Sequence, residues 1–220
     1  MLSLSPRGSC SVTLVVLMKF RVFAASVALA ASLAPIKNTT HYTYWCLGSC
    51  DKNAVTQTEA GTILMGGGTD VDAAFKQHIK WSGGGDFLVI RAYGDDAYNP
   101  YINGLATLTS VATLLTKDKK AAEDPFVLGL IDNAEAIFFA GGDQWTYLQQ
   151  WQGTSMQKRL QAAIDRGVPF GGTSAGCDIQ GGYIYTAEKD SVVSADALEN
   201  PYNERITLQE HSFFQHPSNL

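Results

Sequence analysis

From Gly61 onward, short apolar runs alternate with amphipathic stretches, and several of the runs break at glycine. No other feature constrains the fold as strongly, because strands joined by crossover helices write this pattern when they build a parallel sheet. The candidate strands are TILM (62–65), DFLVIRAYG (86–94), SVATLLT (110–116), AIFFAGGDQ (136–144) and VPFGG (168–172). Helical spacing is expected from Asp70 to Trp81, within KKAAEDPFVLGLIDNA (119–134), and over WTYLQQW (145–151) and MQKRLQAAIDRG (156–167). Pro125 is compatible with a helix only near its start. Strands apolar on both faces require helices on two sides, so the class is α/β with three layers and a mainly parallel sheet. In such sheets ligands collect beyond the carboxyl ends of the strands. Three glycine turns fall there, at 66–68, 141–142 and 171–176.

With 220 residues, 45% hydrophobic and 17% charged, the chain can bury a sizeable core. A net charge of −5 and no cluster of Lys and Arg argue against nucleic acid as a partner, and Lys117, Lys119 and Lys120 read as a solvated face. Residues 1–34 read as a secretory signal peptide. Met18 is the natural start, Lys19 and Arg21 form the basic end, and the apolar run from Val22 to Ala34 is too short to span a membrane. Residues 35–60 are expected to form an N-terminal extension, 61–208 an incomplete catalytic domain and 209–220 a truncated or aberrant tail. Export to an extracellular location would let Cys46 and Cys50 pair, and would make Asn38, in Asn-Thr-Thr, a glycosylation acceptor. A Cys-x-x-x-Cys pair supplies too few ligands for zinc, so neither a metal nor any other cofactor is expected.

Gly172-Thr173-Ser174-Ala175-Gly176 follows a strand and precedes a possible helix. Glycine on both flanks lets the chain turn sharply enough for Ser174 to project from the strand tip as a nucleophile, and the Ala175 N–H then faces a developing oxyanion. The competing reading is a glycine turn with an inert serine. An α/β-hydrolase would need an acid and then a histidine well downstream of the serine, for which the 46 residues after Ser174 leave too little chain. Cys177 reads as a small apolar residue, and Asp178 and Glu188 are acids to which spacing assigns no role. Gly66–Gly68 lacks a following Gly-Lys-Ser/Thr and reads as a close-packing turn, with no phosphate.

FFAGGDQ (138–144) followed by GGTSAG (171–176) resembles the cyanophycinase and dipeptidase E family of serine peptidases. LMGGGTDVDAAF, GGGDFLVIRAYG, YNPYI and SVATLL fit the same family in order, so the resemblance covers about Gly61 to Leu208. It implies a flavodoxin-like fold of the class I glutamine amidotransferase type, with serine at the elbow, and hydrolysis of peptide bonds next to aspartyl residues. By the resemblance Ser174 is the nucleophile, Gly142 or Asp143 forms the oxyanion hole with Ala175, and Gln144 contacts substrate. Asp143 reads equally well as a helix cap. The implied partner is an aspartyl peptide, with a homodimer as a further expectation.

The base is the weak point. His41 and His78 read as surface residues. The family's Asp-x-His-Phe segment, expected downstream of the elbow with arginines after it, is only echoed by Glu210-His211-Ser212-Phe213. His211, or His216, is the remaining candidate base, set against a tail that lacks the segment altogether. Two further readings follow: an inactive homologue that keeps a peptide-binding pocket, and an amidotransferase-like domain, which serine at the elbow disfavours.

Overall fold

The computed structural model describes residues 34–210 and 213–215. Residues 1–33, which carry nearly all of the expected signal peptide, lie outside the described residues, as do His211 and His216. In chain order the first elements are β1 (Lys37–Asn38), β2 (Tyr42–Gly48), β3 (Thr62–Met65), α1 (Asp72–Trp81), β4 (Asp86–Arg91), α2 (Tyr98–Asn103) and β5 (Ser110–Thr116). A 3-10 turn (Ala121–Glu123), α3 (Pro125–Asp132), β6 (Ala136–Phe139), α4 (Gln144–Trp151), α5 (Ser155–Asp165) and β7 (Phe170–Thr173) follow. After the elbow come α6 (Ala175–Asp178), β8 (Tyr183–Tyr185), α7 (Ser194–Glu199) and β9 (Leu208–Glu210).

Seven strands form one sheet in the order β1-β2-β5-β4-β6-β7-β3, and β8 and β9 pair separately. The five strands from β5 to β3 run parallel, while β1 and β2 are antiparallel. Alternation along the strands divides the core between two faces. Leu88, Ile90, Ile137 and Phe139 pack with α3, α4 and α5, whereas Phe87, Val89 and Phe138 pack with Phe75 and Ile79 of α1 and Ile102 of α2. This is the three-layer α/β architecture expected from the alternation of runs.

Local chemistry sets the helix boundaries. Pro125 opens α3 at its first position, and the Asp124 carboxylate caps it by accepting from the Phe126 N–H at 2.8 Å. Thr154 caps α5 through the Gln157 N–H, and the turn after that helix passes through Gly167 at φ 82°.

Three expectations are corrected. Segment 35–60 is no separate extension, since β2 pairs with β5 along its whole length and the Cys46–Cys50 disulfide closes the turn that follows. Strand β3 lies at the sheet edge with Leu64 61% exposed, so it is not covered on both faces. His78 is no surface residue: it is fully buried on α1 beneath β7, with Nε2 at 3.0 Å from the Pro169 carbonyl. The described residues of the expected tail, 209–210 and 213–215, lie against the domain. β9 pairs with β8, and Phe213 and Phe214 enter the core, Phe214 stacking on Phe139 at 5.3 Å.

Candidate active site

Ser174 stands at the carboxyl tip of β7, exposed, with φ 52° and ψ −124°. Backbone of this kind is costly for a residue with a Cβ and persists only where the surroundings enforce it. The enforcement comes from both sides in sequence. A Cβ on Gly172 would fall 2.1 Å from the Gly176 carbonyl oxygen, and one on Gly176 would fall 2.2 Å from the Phe139 carbonyl oxygen. The two flanking glycines are therefore dictated by contact between backbones. Within the turn, Ser174 donates its N–H to the Met65 carbonyl at 3.0 Å, and its own carbonyl accepts from the Cys177 and Asp178 N–H groups, both at 2.9 Å.

Two further glycine turns close on the same side chain. A Cβ built on Gly67, which has φ 97°, would lie 3.2 Å from the Ser174 Cβ, and one on Gly141 would lie 3.4 Å from it. Substitution at Gly67 would crowd the serine, whereas a Cβ at Gly141 would just reach van der Waals contact with it. Tyr147 fixes the second turn from below: its hydroxyl lies 2.8 Å from the Ala140 carbonyl oxygen and 3.1 Å from that of Gly141. The Tyr147 ring is buried and stacked on Trp151, so the turn rests on a rigid support.

The remaining expected site residues fall around this centre. Ala175 is buried and begins α6 directly after the serine. Gly142 is exposed in the turn beside the elbow. Asp143 caps α4, its carboxylate accepting from the Trp145 N–H at 3.0 Å and the Thr146 hydroxyl at 2.7 Å. Gln144 donates through Nε2 to the Tyr185 carbonyl at 2.9 Å and so ties α4 to β8. Asp178, one helical turn past Ser174, has a buried Oδ2 without a partner among the described residues, and burial holds its carboxyl above the usual carboxylate range. Burial, reinforced by Asp178, likewise raises the Cys177 thiol, which disfavours a thiolate nucleophile beside the serine.

Neither described histidine reaches Ser174. His41 Nδ1 pairs with Asp118 at 2.7 Å, beside the end of β5 and three strands from β7, about 14 Å across the sheet. Because the Pro169 carbonyl can only accept, His78 must donate from Nε2, and burial lowers its pKa to about 4. Its ring lies against Gly171, where a Cβ would meet Cε1 at 3.0 Å, three residues short of the elbow. The role is to fill the space under β7.

Sequence reasoning missed Gly67 as a direct neighbour of Ser174, along with the supporting hydroxyl of Tyr147. The second left a trace, because Tyr147, Leu148 and Trp151 share the apolar stripe of α4.

Fold and site together define a three-layer α/β protein whose exposed serine sits on a glycine-flanked strand-to-helix elbow. The model of peptidase family S51 matches residues 100–216, more than half of the sequence, and the chain belongs to that family. The solved structure of a peptidase from an acI-B1 actinobacterium shares the fold at TM-score 0.53 and 16% identity, covering 72% of this chain and 65% of that one. The chain thus spans just under two thirds of that protein's length. A candidate peptidase E protein from Listeria monocytogenes EGD-e aligns at TM-score 0.47 and 17% identity, over 70% of this chain and 74% of that one. No curated protein matches the sequence significantly.

Proposed function

We propose that the chain is a secreted serine peptidase that cleaves bonds next to aspartyl residues, with Ser174 as its nucleophile. The observation that carries this reading is the enforced backbone of Ser174, exposed at a strand tip between the turns of Gly67 and Gly141. In the reaction the Ser174 hydroxyl adds to the scissile carbonyl, and its proton passes to a general base. The carbonyl oxygen becomes an oxyanion, stabilised by the Ala175 N–H and by an N–H of Gly142 or Asp143. Gln144 contacts the substrate, its Nε2 already anchored to Tyr185. The base we assign is His211, the residue directly after β9. Collapse of the tetrahedral adduct expels the amine with that proton, and water then hydrolyses the acyl-enzyme by the same route.

The aspartyl preference rests on the motif resemblance and secretion on the apolar N-terminal segment. A second reading, an inactive homologue that retains the pocket, draws on the positions of His41 and His78, neither of which serves Ser174. Losing the base lowers turnover by about 10⁴- to 10⁶-fold.

Intact-mass analysis after exposure to a fluorophosphonate separates these readings. The peptidase gains one adduct on the peptide that carries Ser174, and His211→Ala slows its formation strongly. An adduct that persists in Ser174→Ala would contradict the assignment. Slow labelling in the wild-type chain that His211→Ala leaves unchanged would favour the inactive homologue.

A further inference from the structure

At the opposite end of the sheet lies a cavity of about 620 Å³, bounded by β2, β4, β5 and α3. Asp86 and Ser110, which line it, are the first residues of their parallel strands, whereas Ser174 lies beyond the last residue of β7. A strand of six residues spans about 20 Å, so the cavity and the serine are separated by roughly the height of the sheet. The rule that open α/β sheets bind ligands at the carboxyl ends of their strands does not account for a space here. Its volume falls within the range of small-molecule sites, about 300 to 1,000 Å³.

Walls and charge both restrict what could fill it. Gly129 lines the cavity from the interior of α3, where glycine costs about 1 kcal/mol relative to alanine. A Cβ there would meet no atom within 4 Å, so packing does not demand the glycine, and its effect is to widen the space. Leu88, Ala112, Phe126 and Leu130 make the wall apolar. Lys37 and Lys52 also line the cavity, and neither forms an ion pair among the described residues. Lys37 instead lies over the Phe126 ring, with Nζ 3.7 Å from the centroid. Asp86 has both oxygens engaged, one by the Ser110 hydroxyl at 2.6 Å and the other by the Ala54 N–H at 2.8 Å. Asp51 and Asp86 match the two lysines in number, but Asp86 is turned to Ser110 and Ala54, which leaves the Lys37 and Lys52 ammonium groups as the charged donors that face a ligand.

We propose that this cavity binds a small apolar organic anion, its hydrocarbon body against Leu88, Ala112, Phe126 and Leu130 and its charged group beside Lys37 and Lys52. The site is independent of the peptidase reading.

Titration of the full chain with 1-anilinonaphthalene-8-sulfonate tests it, with dodecanoate and dodecanol as competitors. Binding saturates at one probe per chain, and dodecanoate displaces the probe at lower concentration than dodecanol. Gly129→Leu weakens binding at least tenfold and Lys37→Ala about threefold, while Ser174→Ala leaves it unchanged. Should Gly129→Leu fail to fold, Gly129→Ala and Lys37→Ala decide the matter: the alanine at 129 favours the helix yet narrows the cavity. The proposal is overturned by absence of saturable binding to the folded chain, by wild-type affinity in folded Gly129→Leu or in both substitute variants, or by equal displacement by the two competitors.

Discussion

The strands that lead into the elbow and the segment that follows it are built differently. Every residue of β6 and β7 is buried, and the turns at their ends touch one another through backbone and glycine. Between β8 and β9 the chain buries little: α7 has no buried residue, and Leu198 and Tyr202 are 84% and 93% exposed. That segment is held by a few polar links, chiefly Gln144 to the Tyr185 carbonyl and the paired hydroxyls of Thr186 and Thr207 at 2.7 Å. The chain regains the core only at Phe213 and Phe214. Precision at Ser174 therefore comes from the sheet, and the segment after it can vary without moving the serine. Such a division suits the proposed peptidase, which needs its nucleophile held rigidly by the surrounding scaffold.

Glycine substitutions should break this contrast most sharply. Gly176→Ala drives a methyl group into the Phe139 carbonyl and is expected to cost about 4 kcal/mol or more, measured by urea denaturation. Gly182→Ala, where a Cβ meets nothing within 4 Å, should stay within about 0.5 kcal/mol. Equal losses would refute the division.

Phe214→Ala removes a fully buried ring packed on Phe139 and Phe170, and should cost about 3 to 4 kcal/mol. Leu198→Ala on α7 should be nearly silent in the same denaturation experiment.

Acid should weaken the sheet through His78. Burial lowers its folded-state pKa to about 4 from an ordinary 6.5, so the unfolded chain takes up the proton first as pH falls. The stability present above pH 6.5 is lost between about 6.5 and 4, by about 3 kcal/mol at most. Glu135 works in the opposite sense. Burial raises its pKa to about 7, so its contribution is present at low pH and is lost as pH rises from about 4.5 through 7. Comparing wild type with His78→Leu isolates the histidine: the variant should lack the acid-labile component. An identical pH profile would place His78 outside the core. Smaller still, replacing Cys46 and Cys50 by serine should cost about 2 kcal/mol, because the loop they close is short. A thermal melt with and without reductant measures the same difference.

The sheet was legible because crossover strands and amphipathic helices have different periods, and because glycine marks the turns where backbones meet. The elbow was legible for the same reason, with Gly172 and Gly176 each required by a contact that spacing alone suggests. β2 was not, since its pairing with β5 joins residues far apart in sequence and leaves no local signature. The burial of His78 was readable in hindsight: Phe75, His78 and Ile79 lie three and four apart on one helix face. The place of Phe213 and Phe214 depended on a tertiary pocket between Phe139 and Phe170 that no local pattern encodes. The roles of Asp143 and Gln144 were harder to read, because they serve as cap and tether at positions to which the resemblance assigns the oxyanion hole and a substrate contact.

The most direct test of the account is turnover of α-aspartyl and β-aspartyl dipeptides by the wild-type chain and by Ser174→Ala, with folding checked by circular dichroism. The account predicts measurable hydrolysis by the wild type and a loss of about 10⁴-fold or more in the variant, with its fold intact. Hydrolysis by Ser174→Ala at the wild-type rate, or none by the folded wild-type chain, would contradict it.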